Sequence, residues 1–222
     1  MSNHAGDAEA VGLRESKKRE TRQLISDQAT RLFMEQGFEH TTIAEIAEAA
    51  RVAKKTVTNY FARKEDMALD HQDVFAASLA DTVVSRASGE CALMALRRAF
   101  LASVAAQDPV AGFAGPEFTR MIADSPTLTA CLRGLHDRRE EALAEVLARA
   151  TGAGATGPGA GDITPRTVAA LLGGVHRVLF GRIQELTLAG RTDAEIAAVL
   201  TEEAERSFDL LEPALGGYAV AD

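Results

Sequence analysis

A run of neighbouring positions holds the side chains best suited to chemistry. Lys54, Lys55, Thr58 and Asn59 fall on one side of a helical repeat, with Thr56 and Tyr60 at its margins. Ammonium groups and hydroxyls suit phosphate oxygens, and a carboxamide suits the edge of a base in the major groove. Taken alone, Lys54 and Lys55 read as ordinary solvated charges on a surface helix. The argument rests on the whole constellation and on what must hold it in place.

The holding elements are written just upstream. Thr42 and Glu45 have capping-box spacing, so each side chain can satisfy an amide of the first turn. Ile43, Ile46 and Ala47 then share a helical face, and Val57 and Phe61 share another after a break near Ala50 to Ala53. Thr42 to Phe61 is therefore expected to form two short helices joined by a tight turn, a helix-turn-helix. The second helix turns its apolar face inward and its polar face to solvent.

Charge is distributed to match. The 222-residue chain has a formal net charge of -8, which on its own argues against nucleic acid. From Arg14 to Lys64, however, 11 Lys and Arg stand against 7 Asp and Glu, a net of +4. From His71 to Asp222 the balance is 13 against 20, a net of -7, and every lysine lies at or before position 64. A basic head on an acidic body attracts DNA locally while the body discourages nonspecific coating. The length suits one or two domains, and the frequent alanine favours helix. No apolar run approaches the ~20 residues that span a bilayer. No signal-peptide core opens the chain, so a cytoplasmic, nucleoid-associated protein with no membrane partner is expected. Cys91 and Cys131 lack metal or redox spacing and are expected as buried thiols in a reducing compartment.

Residues 1–13 are expected to be a disordered arm. Arg14 to Gln36 then reads as an amphipathic helix with Leu24, Ile25, Ala29, Leu32 and Phe33 on its stripe and Gly37 at its C′ position. Its first turns carry Lys17, Lys18, Arg19 and Arg22, either solvated or on phosphate. Lys64 to about Ser88 is expected as a second long helix, with Met67, Val74, Phe75, Leu79 and Val83 inward. Further helices are expected over 90–107, 116–124, 126–151, 166–189 and from Asp193 to about Leu211, with a mobile tail to Asp222. Residues 152–163 are Gly- and Ala-rich, a flexible linker by composition. They lack the Lys-Ser/Thr of a phosphate loop, and no strand precedes them.

Thr41-Thr42-Ile43-Ala44-Glu45-Ile46-Ala47, Val52, Lys54, Thr56, Val57, Asn59-Tyr60-Phe61 and Lys64-Glu65, preceded by a long helix and Gly37-Phe38, resemble the TetR family of bacterial one-component regulators. The likeness covers roughly the first third of the chain. It implies an all-α dimer with a helix-turn-helix DNA-binding domain over 14–63. It also implies a helical ligand-binding and dimerisation domain over 64–222, with the last two long helices pairing across a two-fold axis. By the resemblance, Thr42 touches a phosphate, and Lys54, Lys55, Thr56, Thr58, Asn59 and Tyr60 form the recognition surface. Lys64 reaches a phosphate from the start of the next helix. Two positions depart from the pattern. Arg51 stands where glycine is usual, which strains a residue of positive φ by about 1 kcal/mol but adds a cation. Ala53 stands where Ser or Thr caps, a loss of about 1 kcal/mol.

The resemblance also implies a small-molecule pocket in the body. The candidates are Met94, Phe100, Phe118, Met121, His136, His176 and Phe180, with Arg120 or Arg177 to meet an anion. Taken singly, each of these reads first as ordinary core packing, since Met and aromatic residues at helical spacing normally fill cores. No histidine pair, zinc spacing, nucleophile motif or paired carboxylate is present, so no metal, no cofactor and no enzymatic activity are expected. The expected function is a repressor released from a near-palindromic operator by a small-molecule effector. The alternative is an activator, or a regulator controlled by a protein partner, without a small-molecule switch.

Overall fold

The computed structural model describes residues 4–153 and 161–221, with side chains described from Arg14 onward. Among these residues the regular structure is entirely helical, without strand, and the fold is all-α. The chain divides into two compact units, 1–70 with 121–128, and 71–120 with 129–222.

The first unit is built on α1 (His4–Gln36), α2 (Ile43–Ala49), α3 (Lys54–Tyr60) and α4 (Glu65–Ala68). Helix α1 starts before the expected Arg14, so the arm expected to be disordered over 1–13 is helical backbone from His4 onward. Ala5, Ala8, Glu9, Ala10 and Leu13 are good helix formers, and they run into Arg14 with no breaker stronger than glycine. Ile25, Ala29, Leu32 and Phe33 of α1 are buried, as are Ile46, Val57, Phe61 and Met67 of the elements that follow, and these side chains make up the first unit's apolar core. Leu24, expected on that stripe, is 44% exposed. Phe38 closes the end of the core, its ring centroid 4.9 Å from that of Phe33. Gly37 ends α1 at φ +85, and the buried Thr41 hydroxyl donates to the Gly37 carbonyl at 3.0 Å. Ser125 donates to Glu39 at 2.7 Å, which with a second bond from Thr127 holds that carboxyl below its ordinary pKa.

The long helix expected from Lys64 to Ser88 is interrupted. Helix α4 ends at Ala68 and α5 (Gln72–Val84) begins after a turn through Leu69 to His71, where Leu69 leaves helical geometry at ψ 47. The division between the units falls at this break rather than between 63 and 64. Asp70, within it, is paired with Arg22 of α1. This pairing ties the turn to the first unit's core.

The second unit comprises α5, α6 (Ala92–Ala105), a 3₁₀ turn (Pro109–Ala111), most of α7 (Pro116–Asp124) and α8 (Pro126–Ala150), α9 (Thr164–Leu188), α10 (Asp193–Asp209) and α11 (Glu212–Leu215). Its core joins Leu93, Leu96 and Phe100 of α6, Leu143 and Leu147 of α8, Leu172, Leu179 and Ile183 of α9, and Leu200 and Phe208 of α10. Thr192 and Glu195 form a second capping box at the start of α10. Most of the linker expected over 152–163 lies outside the described residues. The tail is not loose: the amide of Gly89 donates to the Ala221 carbonyl at 3.0 Å, and the amide of Ala221 donates to Glu90 at 3.1 Å. Leu215 and Ala219 are buried.

Candidate nucleic-acid interface and ligand cavity

Helix α3 is held by one face and open on the other. Val57 is fully buried, and Phe61 closes the helix with its amide on the Val57 carbonyl at 3.0 Å. Lys54, Lys55, Thr58 and Asn59 are exposed, and Thr56 and Tyr60 are half-buried at the margins. These positions form one continuous polar edge. Its N-terminus has no side-chain cap at Ala53, whereas α2 starts with the complete Thr42–Glu45 box. The Thr42 hydroxyl already donates to the Glu45 carboxylate at 2.7 Å. That bond, with the one from the Thr42 amide, holds the Glu45 pKa below its ordinary value.

The turn between α2 and α3 is a Schellman closure. The Val52 amide reaches the Ala47 carbonyl at 2.9 Å, and the Arg51 amide reaches Glu48 at 3.0 Å. The closure requires a left-handed residue, and Arg51 occupies that slot at φ 53. The same closure after α9 uses Gly190 at φ 78. Arg51 therefore carries strain of about 1 kcal/mol, and its side chain is exposed in the turn that leads into α3.

Two cations grouped with the interface in the sequence point inward. The Lys64 ammonium donates to the carbonyls of Phe38 at 2.7 Å, Thr41 at 3.1 Å and Glu39 at 3.4 Å, and lies 4.2 Å from the Phe38 ring centroid. Arg22 donates to the Tyr60 carbonyl at 3.0 Å, stacks on Phe61 at 4.2 Å and pairs with Asp70. Both brace the ends of the reading unit. Lys17, Lys18 and Arg19 are exposed.

In the second unit a cleft of about 210 Å³, partly open to solvent, is lined by residues of α5, α6, α8, α9 and the 3₁₀ turn. Phe100, His176 and Phe180 of the expected set line it, joined by Arg139, Ser78, Thr82, Ser103 and Asp108. His136 packs against Phe75 and Phe180 with ring centroids at 5.0 and 5.1 Å. Burial first, and then the positive charge of Arg139 and Arg177, lower its pKa to about 4. Burial likewise keeps His176 neutral, with Arg139 adding to the effect. The remaining expected pocket residues stand elsewhere. Met94 and Arg120 are exposed, Phe118 is half-buried on α7, and Met121 is buried within the first unit. Arg177 points outward to Asp137 at 3.1 Å and Glu140 at 3.4 Å. A wider groove of about 980 Å³ along α8 and the start of α9 is lined by the carboxylates of Asp137, Glu140, Glu141, Glu145 and Asp162. No aromatic ring is among its described lining residues.

Arg139 escaped the sequence reading although its signal was present. Leu128, Leu132, Leu135, Leu143 and Val146 define the inward phase of α8, and position 139 falls on it, four residues after Leu135 and four before Leu143. Its charge, within Asp137-Arg138-Arg139-Glu140-Glu141, disguised it as surface.

Residues 25–70 match the model of the bacterial regulatory proteins of the tetR family. The HTH-type transcriptional regulator TcmR of Streptomyces glaucescens is 32% identical over 209 residues, spanning 92% of this chain and 88% of that protein. The chain belongs to the TetR family. Its solved TetR-like neighbours include NalD, the secondary repressor of the MexAB-OprM efflux pump in Pseudomonas aeruginosa, with a TM-score of 0.53 at 20% identity over 86% of this chain and 97% of that one. They also include SmeT in its triclosan complex, at 0.54 and 18% over 87% and 90%. These establish the same fold. As a TetR-family member the chain is a DNA-binding transcriptional regulator, and the helix-turn-helix of the family is α2 and α3 here. Among the described residues no helix is long and apolar enough to cross a membrane.

Proposed function

We propose that this TetR-family regulator is a homodimeric repressor whose first unit reads a near-palindromic operator and whose second unit dimerises and binds a small-molecule effector that releases it. The observation that carries the reading is the α3 edge: Lys54, Lys55, Thr58 and Asn59 are exposed together on a helix anchored by the buried Val57 and Phe61. In this assignment Asn59 reads a base edge. Arg51, Lys54, Lys55 and Thr56 meet backbone or flanking bases, and Thr42, Thr58 and Tyr60 hold phosphates. One recognition helix per protomer enters successive major grooves.

Dimerisation through α9 and α10 is supported by apolar side chains left in water on these helices and just beyond. Val178 is 70% exposed and Leu210 81%, with Leu171, Leu188 and Val199 also open. A lone chain gains nothing from such a surface. The effector reading is supported by the cleft lined by Phe100, His176, Phe180 and Arg139 and by the ligand-bound SmeT among the fold neighbours. A tenfold release requires about 1.4 kcal/mol of coupling between cavity and operator.

The test is footprinting of the full-length protein on the intergenic DNA beside its own gene across a salt series, followed by candidate effectors. A protected near-palindrome, a steep salt slope and loss of protection on adding a compound are expected. Protection that rises on adding the compound, or transcription that falls on deleting the gene, would replace repression with activation.

A further inference from the structure

The polar groups of the second unit's cavity do not balance. Arg139 is 7% exposed. Its Nε donates to the Ser78 hydroxyl at 2.8 Å, and its guanidinium lies over the Phe75 ring at 4.5 Å. None of the ion pairs among the described residues includes it. The carboxylate on the cavity wall, Asp108, accepts from the Val110 amide at 2.8 Å and caps the 3₁₀ turn. His176, 4% exposed on the same wall, has an Nε2 with no hydrogen-bond partner. Burial alone lowers the Arg139 pKa, to about 10, so the group stays cationic near neutrality.

A buried cation without a counter-ion destabilises a fold, and an apolar residue of similar volume in its place is commonly neutral or stabilising. An anion arriving from outside would supply the counter-ion that none of the ion pairs among the described residues gives Arg139. The guanidinium fork matches a carboxylate in two parallel hydrogen bonds. The neighbouring rings of Phe100 and Phe180 provide flat apolar walls. A cavity of about 150 Å³ holds benzene, so this one suits a ligand on the order of ten non-hydrogen atoms.

We infer that the cavity takes a small aromatic carboxylate, with Arg139 as its anion anchor and the free nitrogen of His176 as a second polar contact. The inference rests on the reading of the second unit as the effector domain, and it adds the chemical class of the ligand.

The experiment uses the full-length protein, thermal melting and titration calorimetry, with benzoate and 2-naphthoate as probes and benzamide and 2-naphthamide as their neutral counterparts. The acids should bind at least about tenfold more tightly than the amides, the scale of one charge-assisted contact. Arg139→Met should melt at the same or a higher temperature without ligand and should no longer distinguish acid from amide. If that variant does not fold, Arg139→Lys carries the test: it keeps the charge without the fork and should weaken the acid preference. The inference is overturned if the acids bind no better than the amides, or if the preference survives unchanged in the variant that folds. It is also overturned if Arg139→Met lowers the melting temperature while acid binding stays intact, since Arg139 would then be a structural brace. Binding that depends on Arg139 but leaves operator affinity unchanged would sink the effector reading and keep the anion site. Operator release by neutral compounds alone would do the reverse.

Discussion

Arg22 and Arg139 carry the same guanidinium into two different settings. In the first unit Arg22 has a carbonyl, a carboxylate and an aromatic face arranged around it. In the second, Arg139 has a hydroxyl and an aromatic face and no carboxylate. The contrast extends to the rest of each unit. The groups assigned to DNA lie in water on α3, where their charge costs little to maintain. The half-buried cations of the same unit, Arg22 and Lys64, are matched by partners from their own chain. In the second unit the order is reversed: the polar groups assigned to ligand, Arg139 and His176, are buried and short of partners, with His136 packed nearby and its pKa lowered. A macromolecular surface can be approached from outside, so its reading groups can wait in solvent. A small molecule must be enclosed, so its site has to hold unmet hydrogen-bonding capacity inside the fold.

Acidification should separate the two regions most strongly. The folded pKa of His136 is about 4 and that of His176 is also depressed, against an ordinary value of about 6.5. Between about pH 6.5 and pH 4 the unfolded chain takes up protons that the fold refuses, so stability present above that window is lost as pH falls through it. Denaturant titrations should show this loss, and His136→Phe should reduce it. Equal acid sensitivity in that variant would remove His136 as a cause.

Lys64→Ala comes next. It removes a charged donor from three carbonyls and should destabilise the first unit by about 2–3 kcal/mol, while the salt slope of operator binding stays as in the parent. A flattened slope with unchanged stability would return Lys64 to the phosphate role that the family resemblance implies. Asn59→Ala should leave stability unchanged and weaken operator binding by about 1–3 kcal/mol with relaxed preference at one base pair. An unchanged footprint and affinity would end the base-reading assignment. Ala53→Ser should stabilise α3 by about 1 kcal/mol through the missing cap, measured as a shift in the denaturation midpoint. No shift would mean that the helix start is already satisfied in another way.

What could be read from sequence was what is local. The Thr42–Glu45 box, the inward Val57 and Phe61, the strained Arg51 and the span of α7 all depend on residues a few positions apart. The Lys64 site depends on the loop that begins at Phe38, 26 positions away, and nothing in the sequence joins the two. The break after Ala68 was hidden because the apolar repeat of Met67, Phe75 and Leu79 continues across it in register. Val74, expected inward, is 59% exposed. In the pocket, residue type misled. Met94 and Arg177 have the right chemistry on the outer faces of their helices, while Arg139 has an outer-face chemistry at an inward phase.

The bridge between Gly89-Glu90 and Ala221 means that the two ends of this chain are unequal places to attach anything. A purification tag or fluorescent reporter fused after residue 222 would pull on a backbone pairing next to the first turn of α6. A deletion that stops at Pro213 would strip Leu215 and Ala219 from the core it shares with Leu93 and Leu96. Shortened or C-terminally labelled versions should therefore lose melting temperature before they lose any residue assigned to DNA.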